Sequence, residues 1–168
     1  QDQLTKFFFF FVFSAKSGSL FCEHTLFAAR QQWQQQSEQR QQFCRHRHLL
    51  PPQPNELFIS LFSYENAALP ALLKRWQSHP TPVRCLIPAG RTLNSLSSLL
   101  PADVCQAGGC WQQGALTVEV LPMTDQTAYD QLLWSCDFNI VRGEDSFLRA
   151  QWAARPFLWH IYPQEDEA

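Results

Sequence analysis

Residues 137–163 read DFNIVRGEDSFLRAQWAARPFLWHIYP. The stretch opens on a short apolar run, passes through Arg142-Gly143-Glu144-Asp145-Ser146, and continues into SFLRAQWAA (146–154), whose composition suits a helix. A second apolar run, PFLWHIYP (156–163), closes it. Two apolar runs joined by a single helix describe a strand–helix–strand unit, and a helical crossover of that kind brings the strands together in parallel. The same alternation extends backwards along the chain. ELFISLFSY (56–64), VRCLIP (83–88) and ALTVEVLP (115–122) read as strands. AALPALLKRWQ (67–77), RTLNSLSSLL (91–100) and DQTAYDQLLWSC (125–136) read as the helices between them, with Leu69, Leu72, Leu73 and Trp76 at helical spacing in the first. AGGC (107–110) reads as part of a loop. The fold class this implies is α/β, a parallel sheet covered on both faces.

In such sheets ligands bind at the carboxyl ends of the strands. Four loops therefore hold the candidate site: Phe62 to Glu65, Pro88 to Arg91, Met123 to Gln126, and Arg142 to Ser146. None contains GxGxxG or GxxxxGK[ST], so neither a standard dinucleotide site nor a P-loop is supported. Asp145 and Ser146 are good helix N-caps for a helix beginning near Phe147. The N–H groups of that first turn can receive an anion. Glu144 reads either as a partner of the helix dipole or as a working carboxylate. Gly143 suits a close backbone approach or a positive φ. Phe62 and Tyr64 read either as core or as a stacking platform for a base.

The chain has 168 residues, 45% hydrophobic and 17% charged, which suits a packed core rather than disorder. A net charge of −2 gives little electrostatic support for nucleic-acid binding. Six cysteines without a CxxC pair point away from a zinc ribbon or a disulfide framework, and toward a cytoplasmic protein. KFFFFFVF (6–13) is far too short to span a membrane, which takes roughly 20 residues, and reads as a buried strand. The Gln-rich segment at 30–50 reads as a polar surface helix, and LLPPQPNE (49–56) as a boundary. Cys44, His46 and His48 would share one face if FCRHRH were a strand, but Arg45 and Arg47 oppose a cation there and no metal is expected. A first residue other than methionine suggests an excerpt of a longer protein.

RGEDSFLRAQWAARPFLWHIYPQ, with KFFFF and KSGSL near the start, SLFSYEN, and LPMTDQTAYDQLLW, closely resembles the elongation factor P arginine rhamnosyltransferases (EarP). That resemblance covers most of the chain and implies a Rossmann-like sheet, the donor-binding half of a GT-B type two-domain glycosyltransferase. Residues 1–55 would be the end of the N-terminal, acceptor-side domain and the linker, and 56–168 an incomplete nucleotide-sugar domain. The implied reaction is inverting transfer of rhamnose from dTDP-β-L-rhamnose to an arginine of elongation factor P, the partner, without a metal or other cofactor. Glu144 is the implied catalytic residue. Phe62, Tyr64, Met123, Gln126, Arg142, Gly143, Asp145 and Ser146 are the implied donor-binding residues. Met123 stands where related sequences often have an aromatic, and Gln126 could read the thymine edge. Family members also carry an aspartate, taken as general base, in an N-terminal segment not present here. The 168 residues are therefore expected to bind donor without turnover. The competing expectation is a non-catalytic sugar-nucleotide-binding or protein-interaction fragment.

Overall fold

A computed structural model describes residues 7–10, 38–122 and 125–161, with backbone alone for 7–10. Seven strands form one sheet: β1 (Phe7–Phe10), β2 (Leu57–Leu61), β3 (Val83–Pro88), β4 (Cys110–Gln113), β5 (Leu116–Leu121), β6 (Phe138–Arg142) and β7 (Phe157–His160). Among the described residues four α-helices accompany them: α1 (Gln39–His46), α2 (Leu69–Gln77), α3 (Gln126–Ser135) and α4 (Gly143–Ala153). The order across the sheet is β1-β7-β6-β2-β3-β5-β4. The five central strands run parallel, and β1 and β4 add antiparallel edges.

Strand alternation sorts the core into layers. Ile59, Leu61, Cys85, Ile87, Val118 and Val120 point to one face, where Leu69 and Leu73 of α2 and Leu93 and Leu96 cover them. Phe58 and Leu86 point to the other, under Phe43 and Cys44 of α1 and Leu132 of α3. Val141 and Phe157 meet Ala150 and Ala153 of α4 on that same side. Burial on both faces is why all six residues of β3 and of β5 are buried, the polar Arg84, Thr117 and Glu119 included. The α/β sheet expected from sequence is the one observed. It is doubly wound: the chain moves outward from β2 through β3 to β5, then returns past β2 to lay down β6 and β7. The direction reverses between β2 and β6, and that gap is the topological switch point.

Three expectations are corrected. RTLNSLSSLL forms a 3-10 helix over Arg91–Leu96 in place of a longer α-helix. Its hydroxyls are engaged elsewhere: Thr92 Oγ1 donates to the Ser63 carbonyl and Ser95 Oγ accepts from Asn66 N–H. AGGC does not stay a loop, because Cys110 begins β4. Gly109 is required just before it, since a Cβ there would stand 2.0 Å from the Val104 carbonyl oxygen. Finally, FCRHRH is not a strand. Cys44 and His46 belong to α1, while His48 follows it with φ +56°, so the shared face behind the metal reading does not exist. Burial also pushes the Cys44 thiol up to about 11, far from a ready thiolate.

The glutamine-rich helix is anchored more firmly than a surface helix. Arg40 donates to the Ser135 carbonyl and pairs with Asp137 at 3.0 Å, which in turn accepts from Phe58 N–H. Beneath the proline-rich linker, Arg84 is 1% exposed and bridges Glu56 and Glu119, each at 3.0 Å. It also donates to the Leu50 and Pro51 carbonyls, so the linker backbone is held by the same guanidinium. Every donor there finds a partner within the protein.

Candidate functional site

Two loops meet at the switch point. From β2 the chain runs into Phe62-Ser63-Tyr64, and from β6 into Arg142-Gly143-Glu144. Phe62 N–H donates to the Ile140 carbonyl at 2.9 Å, which extends the strand pairing to the mouth of the site. The β2 loop is fixed from behind. Ser63 N–H bonds Thr92 Oγ1 at 3.1 Å, and Asn66 Oδ1 accepts from Ala68 N–H at 2.8 Å at the start of α2. Sequence reading passed over Thr92, Ser95 and Asn66, because a hydroxyl in a polar helix carries no signal of its partner.

The Arg142 guanidinium lies over both aromatics, 4.6 Å from the Phe62 ring centre and 4.8 Å from that of Tyr64. Cation–π contacts of this kind contribute about 0.5–2 kcal/mol each. They hold the guanidinium at the carboxyl edge, and its buried Nε has no hydrogen-bond partner among the described residues. Tyr64 is braced in turn by the His160 ring at 5.4 Å, edge to face, and Phe62 by Tyr129 at 5.6 Å. His160 is buried at the end of β7. Phe62 and Tyr64 are both half-buried, so neither is a plain core residue.

The helix start differs from its expected form. α4 begins at Gly143, with Arg142 in extended geometry at the N-cap and no side-chain cap. Asp145 and Ser146 lie inside the first turn and do not cap it. Instead, the Asp145 carboxylate accepts from Arg149 at 3.0 Å, one turn along, and Arg149 also bonds Asp130 at 2.7 Å. This ion triad offsets the negative charge beside a helix N-terminus that would otherwise repel an anion. Burial holds the Asp130 carboxyl above its ordinary range, and Arg149 opposes that shift. Gly143 has φ +72°, in the left-handed region that glycine adopts without strain. Its carbonyl accepts from Trp159 Nε1, and the Tyr64 hydroxyl would lie 3.8 Å from a Cβ at this position. Glu144 is exposed in the first turn. Ser146 is buried beside Tyr129, whose hydroxyl is pushed to a raised pKa by burial.

A cleft of about 180 Å³ opens beside this junction. Phe62, Gln126, Tyr129, Asp145 and Ser146 line it, together with Phe43 and Arg47 from α1. The structure thus brings Phe62 and Gln126 to the same cleft as Ser146, with Arg142, Gly143 and Tyr64 adjoining. Met123 lies outside the described residues. The α3 start is capped by Asp125, whose carboxylate accepts from Ala128 N–H at 2.8 Å. No cluster of three metal-capable side chains occurs among the described residues. No described helix is long and apolar enough to cross a membrane.

Chemically, this is a concave edge with a fixed guanidinium, an uncapped helix N-terminus and two aromatic rings. Those are the parts that hold a phosphorylated, ring-bearing ligand. Fold and geometry define a doubly wound α/β protein with a cleft beside its switch point. The chain belongs to the family described as elongation-factor P (EF-P) rhamnosyltransferase EarP, whose model matches residues 1–168. Among curated proteins it is similar to the protein-arginine rhamnosyltransferase of Shewanella oneidensis, 50% identical over 98% of this chain and 43% of the relative. The protein of that name from Pseudomonas putida is 46% identical over 98% of this chain and 44% of the relative. That of Neisseria meningitidis is 34% identical over 99% and 42%. The chain therefore spans less than half the length of these relatives. A solved structure reported as the structural basis for EarP-mediated arginine glycosylation of translation elongation factor EF-P superposes with a TM-score of 0.80 at 44% identity, over 91% of this chain and 50% of that one.

Proposed function

We propose that this chain is the donor-binding half of a GT-B type protein-arginine rhamnosyltransferase, which transfers rhamnose from dTDP-β-L-rhamnose to an arginine of elongation factor P. The observation that carries the reading is the convergence of an uncapped α4 N-terminus, Arg142 and two aromatic rings at the switch point of a sheet from this family. The diphosphate lies on the first-turn N–H groups of α4 and Arg142, and the pyrimidine ring lies against Phe62, with Gln126 at its edge.

In the reaction an acceptor guanidinium nitrogen forms a bond to the anomeric carbon while the bond from that carbon to the diphosphate oxygen breaks. dTDP leaves with the electron pair, and the guanidinium nitrogen gives up a proton. Arginine is a poor nucleophile because its guanidinium stays protonated. Glu144, exposed at the mouth, orients that group and offsets positive charge as the sugar ionises. Residues 56–168 supply most of the nucleotide-sugar domain, to whose sheet β1 adds an edge strand and on whose face α1 packs before the linker. The 168 residues bind donor and do not turn it over alone.

Two measurements test this. dTDP at a hundredfold excess over its Kd stabilises a binding protein by about 2.7 kcal/mol. For a chain of this size that is a rise of roughly 5–10 °C in Tm. No rise in a folded sample favours the alternative, a non-catalytic interaction module. In the full-length enzyme Glu144→Gln lowers the transfer rate by about 10²–10⁴ while dTDP still binds; a near-normal rate removes Glu144 from the mechanism.

A further inference from the structure

The cleft beside α4 has a charge pattern that the sequence did not suggest. Three charged side chains are among its walls: Asp125, Asp145 and Arg47. Both carboxylates are committed within the protein. Asp125 caps α3 through Ala128 N–H, and Asp145 is paired with Arg149. Arg142 adjoins the cleft on the rings of Phe62 and Tyr64 and is not one of its walls. Arg47 is the one cation among the described side chains that line it.

Its placement is firm. Arg47 follows the last turn of α1, and its N–H donates to the Phe43 carbonyl at 3.1 Å. Its guanidinium lies 5.9 Å from the centre of the Phe43 ring, which is 1% exposed and lines the same cleft. α1 is itself tied to the sheet through Arg40 and Asp137. The guanidinium therefore follows directly on an anchored helix and lines the same cleft as Ser146.

We propose that Arg47 is a nucleotide-binding residue of this site, its guanidinium neutralising the diphosphate of a nucleoside diphosphate from the α1 side of the cleft that Asp145 and Ser146 of α4 also line. The inference rests on the donor-site reading above. It adds that the glutamine-rich segment before the linker contributes to nucleotide recognition. Chemistry favours the diphosphate over the base, because a guanidinium gains most from a doubly charged oxygen group that accepts two hydrogen bonds.

Isothermal titration of the 168-residue chain with dTDP and with thymidine tests it. Arg47→Gln is expected to weaken dTDP binding roughly ten- to hundredfold, the range for hydrogen bonds to charged groups, and to leave thymidine binding within about twofold. Arg47→Lys keeps the charge without the fork and retains most of the dTDP affinity, with an unchanged Tm showing that α1 stays docked. Wild-type dTDP affinity in Arg47→Gln overturns the inference while leaving the donor site standing. Equal losses for dTDP and thymidine also overturn it, by reducing Arg47 to a packing role on Phe43. A wild-type chain that binds neither compound removes the donor-site reading itself, and this inference with it.

Discussion

Two arginines of this sheet show how the same side chain can close a structure or open a site. Arg84 sits on β3 under the linker, sealed from water, with carboxylates on two sides and carbonyls on its remaining donors. Arg142 sits at the end of β6, half-buried and held by ring faces, with Nε unmatched among the described residues. Ring faces position a guanidinium without consuming its hydrogen-bond donors, whereas carboxylates consume them. A buried charge with all its partners inside the protein organises the fold, and one held by π contacts at a strand end is ready for an external anion.

The largest expected effect breaks the sealed side. Arg84→Met leaves Glu56 and Glu119 buried without a cation, and costs roughly 3–5 kcal/mol in urea unfolding. Any loss of dTDP binding should then follow from unfolding alone. Arg142→Ala does the reverse. It weakens dTDP binding about ten- to hundredfold by titration calorimetry and changes stability by less than about 2 kcal/mol. If Arg142→Ala proved the more destabilising of the two, the contrast between them would collapse.

For dTDP binding the smallest direct effect concerns Arg149, which stands between the two cases because it neutralises Asp130 and Asp145 beside the cleft. Arg149→Gln should destabilise by about 1–3 kcal/mol near pH 7, since it strands the buried Asp130 carboxylate. The pH dependence has a definite sign. Burial raises the folded pKa of Asp130 above that of the unfolded chain, so the folded state binds its proton more tightly. Stability from this group therefore falls as pH rises through the window above 3.8 and is constant beyond it. Arg149→Gln widens that window, so its deficit should shrink on acidification from pH 7; a deficit independent of pH would show that Asp130 is not the affected group. The same variant should weaken dTDP binding modestly, because Asp145 then faces the phosphates uncompensated.

Much of the architecture was legible because it depends on local patterns. The parallel strands are short, mostly apolar runs, and α2 shows Leu69, Leu72, Leu73 and Trp76 at helical spacing. The misreadings share one cause, a side chain whose partner is distant in sequence. Thr92 and Ser95 gave their hydroxyls to the β2 loop, and RTLNSL tightened into a 3-10 turn. Asp145 and Ser146 have excellent capping chemistry, but the helix begins at Gly143, whose positive φ lets the chain turn directly out of β6. Only Asp145 with Arg149, four residues apart on one helix, could have been paired from sequence.

The sequence by itself determined the alternation of strands and helices, and with it a parallel sheet whose carboxyl edge must hold the site. RGEDS was enough to nominate the loop after β6 as part of that site, and together with the motifs elsewhere along the chain it named the family. Tertiary structure alone decided which loops become neighbours. Strand order puts β6 beside β2, so Arg142 reaches Phe62 and Tyr64 across about eighty positions of chain. It also decided the fate of each charge. Whether an arginine is sealed or available depends on what packs around it, and long-range packing is the part of the physics that a linear pattern does not contain.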